Sequence, residues 1–247
     1  MIDIERHGRV AVLSLEHGKV NAMDIELLTG LAARIADLGA EDVGAAVLTG
    51  GGKVFSAGVD LRRYVDGGPD YIHAMLEALS EAFLAIVGAP FPVVAAINGA
   101  AIAGGAVLAA ACDRRLLAPE ARIGATELLV GVPFPAAAAE VLSARCGRHL
   151  REVLWTGRLF SGEAAVAVGL ADEVVEAGSL RDAALDAAQA LAAMPSEVTS
   201  MTKAYLWSST LDRVAERKTL DDAVRDVWAA PGTVARVASY LDATTRR

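Results

Sequence analysis

From Ala82 to Cys112 the chain carries no charged residue. A run that long is either a span of a bilayer or the interior of a packed domain. Pro90, Pro92, Asn98, Gly99, Gly104 and Gly105 interrupt it and divide it into a strand, a turn and a helix. The run therefore reads as buried core, and 247 residues are enough to bury one. Hydrophobic residues make up 54% of the chain and aromatic residues only 5%, so Ala, Val and Leu must fill the interior. Small-residue packing and buried subunit contacts are expected.

The 31 Asp and Glu outnumber the 23 Lys and Arg, for a net charge of −8. That balance lacks the basic footprint of a nucleic-acid binder. Neither nucleic acid nor a membrane is expected as a partner. Cys112 and Cys146 do not make a disulfide framework and fit a reducing, cytoplasmic setting as buried thiols. Met1 to Arg6 shows no basic segment leading into an apolar one, so no signal peptide is read.

Residues 9–15 read as a strand. Asp24 is placed to cap a helix whose apolar face is Ile25, Leu28, Leu31, Ile35 and Leu38, ending between Gly39 and Gly44. A buried strand at 45–49 leads into Gly50-Gly51-Gly52. A helix is predicted over 70–87, stopped by Gly88 and Pro90. A strand follows over 92–98, a helix of small residues over 103–111 and a strand over 112–118. This alternation predicts an α/β fold over about 1–135. Beyond it the pattern is helical: 136–146, 148–156, 161–168, 179–193, a helix from Pro195 capped by Met194 or Ser196, and two more over 211–245 divided at Pro231-Gly232.

Several motifs fail. Gly52-Lys53 follows a strand, but Val47 and Val54 stand where a phosphate loop needs Gly and Ser or Thr. No G-x-G-x-x-G follows a strand, and neither G-x-S-x-G nor C-x-x-C occurs. His7, His17, His73 and His149 are scattered, without metal-ligand spacing. Two small-residue turns remain, Phe55 to Leu61 and Ile97 to Ala106. A helix start presents free N–H groups, and glycine lets a ligand approach them. Two such turns can aim two donors at one oxygen, each worth roughly 3 kcal/mol in a transition state. Equally, the glycines can serve only close strand–helix packing.

Lys19-Val20-Asn21-Ala22-Met23, Phe55-Ser56-Ala57-Gly58-Val59-Asp60-Leu61, Pro92 to Gly99 and Ala111-Cys112-Asp113 occur in an order and spacing that resemble the enoyl-CoA hydratase/isomerase (crotonase) superfamily. Thr156-Gly157 and Gly169 to Val175 match its later landmarks, so the resemblance covers nearly the whole chain. It implies a spiral of ββα units over 1–190 and a helical C-terminal region over 191–247 that serves trimerisation. It implies an acyl-CoA thioester substrate, with coenzyme A as the carrier and no separate cofactor or metal, and a homotrimer or dimer of trimers. The family's oxyanion hole carries over to the N–H groups of Val59 and Gly104. The preceding position, often Gly in the family, is Ala103 here, which is expected to be a mild change. Contacts to coenzyme A fall on Lys19, Val20, Ala22, Ala57, Asp60 and Leu61, largely through main chain. Since the net charge offers no attraction to its phosphates, local cations must supply it; Lys19, Arg62 and Arg63 are the candidates.

Hydratases of the superfamily use two glutamates. By this resemblance the first position is Val107 and the second Glu127. A single carboxylate suits a proton shuttle, and Ala103-Gly104-Gly105 with Gly131-Val132-Pro133-Phe134 resembles the Δ3,Δ2-enoyl-CoA isomerases. Burial beside Leu128, Leu129 and Phe134 is expected to raise the pKa of Glu127. The acyl pocket is expected along 70–87 and 128–140. The alternatives are a hydratase of low activity and a non-catalytic acyl-CoA-binding protein.

Overall fold

A computed structural model describes residues 1–245. The chain opens with an antiparallel hairpin, β1 (Ile2–His7) and β2 (Val10–Leu15), turned at Gly8, followed by α1 (Ile25–Gly39). Asp24 does cap α1, accepting from the Leu27 N–H at 2.9 Å. Three ββα units come next. They are β3 (Ala45–Gly50), β4 (Val54–Ser56) and α2 (Leu61–Val87); β5 (Val93–Ile97), β6 (Ala100–Ile102) and α3 (Gly104–Ala111); and β7 (Arg114–Leu117), β8 (Ile123–Gly124) and α4 (Glu127–Val130).

The first strand of every unit joins one sheet and the second joins another. The larger sheet runs β1-β2-β3-β5-β7-β9, with β9 at Glu173–Val174, and is parallel except for β1. The smaller runs β4-β6-β8, all parallel. Strands β2 and β5 are buried along their whole length, which is why they read as apolar runs, broken only by Ser14 in β2. The charge-free stretch is thus the end of α2, β5, β6 and α3, all within the core. Cys112 and Cys146 are buried, free thiols.

The remaining helices are α5 (Ala136–Cys146), α6 (Leu150–Thr156), α7 (Gly162–Ala167), α8 (Leu180–Ala192), α9 (Ser196–Glu216), α10 (Lys218–Ala229) and α11 (Pro231–Thr245). Helix α8 packs across β2, β3, β5 and β7. Helices α10 and α11 fold back onto α2, and together they bury Tyr64, Ile72, Met75, Trp228 and Val237 in a second apolar cluster.

Some boundaries differ from the sequence reading. The edge strand β1 was not anticipated, since its half-exposed side chains give no apolar run. Helix α2 begins at Leu61, not at residue 70. Gly68, at φ 72°, breaks it, and Pro69 starts the second run, so the predicted helix is only the part after the break. Helix α9 runs through Glu216, so the first of the two tail helices starts at Lys218. The division at Pro231 stands where the sequence put it. Helix α9 starts after Pro195 without a side-chain cap, so neither Met194 nor Ser196 plays that part.

Candidate active site

The topology gathers the site. Val59 follows β4, Gly104 follows β6 and Glu127 follows β8. These strands are parallel neighbours, so their carboxyl ends bring the three residues to one edge of the small sheet, where an open α/β sheet presents its ligands. All three line one cavity of about 110 Å³.

Among the described residues neither the Val59 N–H nor the Gly104 N–H donates to a protein acceptor. Gly104 is the first residue of α3, so its N–H lies at the positive end of that helix. The two turns touch. A Cβ on Gly58, which has φ 83°, would fall 2.7 Å from Ile102 O and 3.3 Å from Gly104 N. Only glycine lets the first turn approach the second this closely. Gly105 does something different: a Cβ there would lie 2.4 Å from Ser56 O, so its role is helix–strand packing. Both readings of the glycines therefore hold, at different positions. Ala103 corrects an expectation. It adopts φ 51°, ψ −120°, a glycine-favoured conformation, so alanine there is strained and not a mild change.

Glu127 opens the single turn of α4, which Gly131 closes at φ 88°. The residue is 7% exposed, and its Oε2 is buried with no hydrogen-bond partner among the described residues. Burial pushes its carboxyl from an ordinary value near 4.5 up to about 8. The direction matches the sequence reading, but the named neighbours do not. Leu128 and Leu129 are exposed on the other face of the turn. Val107, Val130 and Val132 share the cavity with Glu127 instead. Glu127 is the only carboxylate among the described residues lining it. The cavity takes Leu79 and Phe83 from α2, and Val130, Val132, Pro135 and Ala138 from the segment expected. Thr126, Trp228 and Tyr240 also line it and were not foreseen; the two aromatics arrive from α10 and α11, and nothing local in the sequence marks them.

Ala57 and Leu61 line the cavity with Val59. Lys19, Val20 and Ala22 do not, but their segment runs alongside: Ala57 N donates to Val20 O at 3.0 Å and Met23 N to Gly58 O at 2.7 Å. Asn21 fastens that segment to β4 through its Nδ2, which donates to Val54 O and Phe55 O. Asp60 is a helix cap, its Oδ1 accepting from the N–H groups of Arg62 and Arg63. Arg63 is corrected as a phosphate cation. Its guanidinium is held by Asp24 at 2.8 Å and by both oxygens of Glu26 at 2.6 and 2.8 Å. Lys19 and Arg62 make no ion pair among the described residues and remain exposed. No group of three or more His, Cys, Asp or Glu comes together among the described residues to hold a metal ion.

The sequence pattern of the family described as enoyl-CoA hydratase/isomerase matches residues 5–227. The chain belongs to the enoyl-CoA hydratase/isomerase family. It is 39% identical over 201 residues to a putative enoyl-CoA hydratase of Thermus thermophilus, covering 78% of this chain and 76% of that one. It is 30% identical over 226 residues to the human mitochondrial enoyl-CoA delta isomerase 1, covering 90% of this chain and 75% of that one. The crystal structure of human mitochondrial delta3-delta2-enoyl-CoA isomerase superposes with a TM-score of 0.93 at 28% identity, over 99% of this chain and 98% of that one. The α/β architecture and helical C-terminal region are thus those of the crotonase superfamily, and relatives within the hydratase/isomerase family carry both reaction names.

Proposed function

We propose that this member of the hydratase/isomerase family converts 3-enoyl-CoA thioesters to 2-enoyl-CoA, with Glu127 moving the proton. One observation carries the reading: a single buried carboxylate faces a cavity in which Val107, the position of the hydratases' first glutamate, is an apolar wall. Activating water and managing the α-proton together call for two groups, whereas moving one proton along an allyl system calls for one.

The thioester oxygen sits between the N–H groups of Val59 and Gly104. Glu127, ionised, takes a proton from C2, and the electron pair delocalises onto the thioester oxygen as a dienolate. The two N–H donors and the start of α3 stabilise that charge. The carboxylic acid then returns the proton at C4, and the double bond becomes conjugated. Atoms and electrons balance without a redox or metal cofactor; coenzyme A enters as part of the substrate. The pantetheine arm runs along Ala57 to Leu61, with Lys19, Val20 and Ala22 beside it and Lys19 and Arg62 as cations for its phosphates. We also propose a homotrimer or a dimer of trimers, supported by an exposed apolar face on α9.

The test is to incubate the protein with a 3-enoyl-CoA and, separately, a 2-enoyl-CoA. The expected result is an isomer of unchanged mass from the first and no hydration of the second. A product heavier by one water from the second would establish hydration despite Val107. Glu127→Gln is expected to lower kcat by at least about a hundredfold while coenzyme A binding persists. Unchanged turnover would remove Glu127 from the mechanism. Because the base must be ionised and burial holds its pKa at about 8, kcat/KM should rise with pH up to about 8 and level off above it.

A further inference from the structure

The cavity that holds Glu127 is walled by a residue from the far end of the chain. Trp228, on α10, is 3% exposed and lines the cavity with Leu79, Phe83 and Ala138. Its indole Nε1 donates to Pro133 O at 2.8 Å. Its carbonyl accepts from the Tyr64 hydroxyl at 2.6 Å. The Tyr64 ring meets the indole edge-on, with centroids 5.6 Å apart and planes at 82°. Tyr64 is itself fully buried. Swinging the indole aside would break this hydrogen bond and unpack the buried cluster of Tyr64, Met75, Val132 and Val237 around it, so this wall is fixed. The volume it bounds is about 110 Å³. An apolar cavity of about 150 Å³ accommodates benzene, so by that scale the site has room for about four carbons.

We infer that Trp228 gauges acyl length, so that the site takes short-chain acyl-CoA thioesters of about four to six carbons and stops longer ones at the indole. The inference rests on the acyl-CoA reading of the site given above, though not on which reaction occurs there. In an open apolar groove, every further buried methylene would tighten binding about fourfold. Against a fixed wall it must instead displace packed side chains, and binding weakens.

Binding of saturated butanoyl-, hexanoyl-, octanoyl- and decanoyl-CoA by calorimetry, alongside turnover of the corresponding 3-enoyl-CoAs, tests this. The expected Kd tightens up to about six carbons and weakens at least about tenfold by ten carbons. Trp228→Leu is expected to move the limit outward by about two carbons, and Trp228→Phe by less. The second variant keeps most of the packing should the first fold poorly, and a thermal melt reports on each. Affinity that rises steadily to decanoyl-CoA in the unaltered protein overturns the inference. So does a limit that stays in place in a folded Trp228 variant. A clear limit in binding with no turnover of any 3-enoyl-CoA would instead support the inference and defeat the isomerase reading. Failure to bind any acyl-CoA would defeat both.

Discussion

Ala103 carries a methyl group in a backbone conformation, φ 51°, ψ −120°, that glycine adopts without strain. The strain amounts to about 1–2 kcal/mol. Glycine would add back about 0.4–1 kcal/mol through the entropy of the unfolded chain. Ala103→Gly should therefore stabilise the protein by about 1 kcal/mol and raise the melting midpoint by about 2–4 °C, with turnover retained. A lower midpoint would show that the turn is relaxed with alanine. Glu127 presents the opposite balance, stability given up for a basic group. Its folded pKa of about 8 lies above the ordinary 4.5. Below about 4.5 both states are protonated and the group contributes nothing. Between about 4.5 and 8 the unfolded chain ionises first and binds fewer protons, so stability falls as pH rises, and it levels off above 8. Glu127→Gln should match the unaltered protein at pH 4 and exceed it by a few kcal/mol near pH 9 in urea titrations. Equal stability at both pH values would mean the carboxyl is not desolvated. The sequence showed that this carboxylate has apolar neighbours but not which ones. Leu128 and Leu129 adjoin it in the chain yet turn away, while Val107 reaches it from another element.

Helix α3 joins structure to chemistry at the scale of one element. All its residues, from Gly104 to Ala111, are buried, and its first residue lines the cavity. Its other end is buried too, and cations meet the carbonyls there. Arg145 donates to Ala110 O at 2.9 Å and to Cys112 O at 2.7 Å, and Arg115 donates to Cys112 O at 3.0 Å. Positive charge at that end complements the helix dipole. Burial lowers the Arg145 pKa to about 10, which still leaves it charged at neutral pH. Arg145→Met should cost about 1–3 kcal/mol in chemical denaturation, because it strands the Ala110 carbonyl, while Cys112 O keeps its bond from Arg115. A loss under about 0.5 kcal/mol would show that water replaces the guanidinium. The small-residue run made this helix legible in the sequence. The arginines that cap it were not, since they come from a different helix and from the strand that follows.

The molecule as a whole places an apolar strip outside. Val198, Met201, Tyr205 and Leu206 on α9, with Met194 before it, are exposed, while Lys203 and Trp207 on the same helix are buried around Asp113. Singly exposed apolar residues are ordinary, but a grouped set marks an interaction surface. Sedimentation should give three or six times the 25.5 kDa chain mass, and Met201→Glu with Leu206→Glu should reduce it. A species of 25.5 kDa at micromolar concentration would refute the proposed assembly.

The family resemblance singled out Glu127 as the carboxylate to watch, and the sequence by itself determined the alternation of strands and helices, the buried central run and the two glycine turns. Those features are local: apolar period, turn chemistry and short motifs act within a few residues. Only the tertiary structure decided that the ends of β4, β6 and β8 stand side by side, that Arg63 is spent on Asp24 and Glu26, and that Trp228 closes a cavity begun by residue 57. Each depends on segments far apart in the chain meeting through packing, and no spacing within one segment encodes such a meeting.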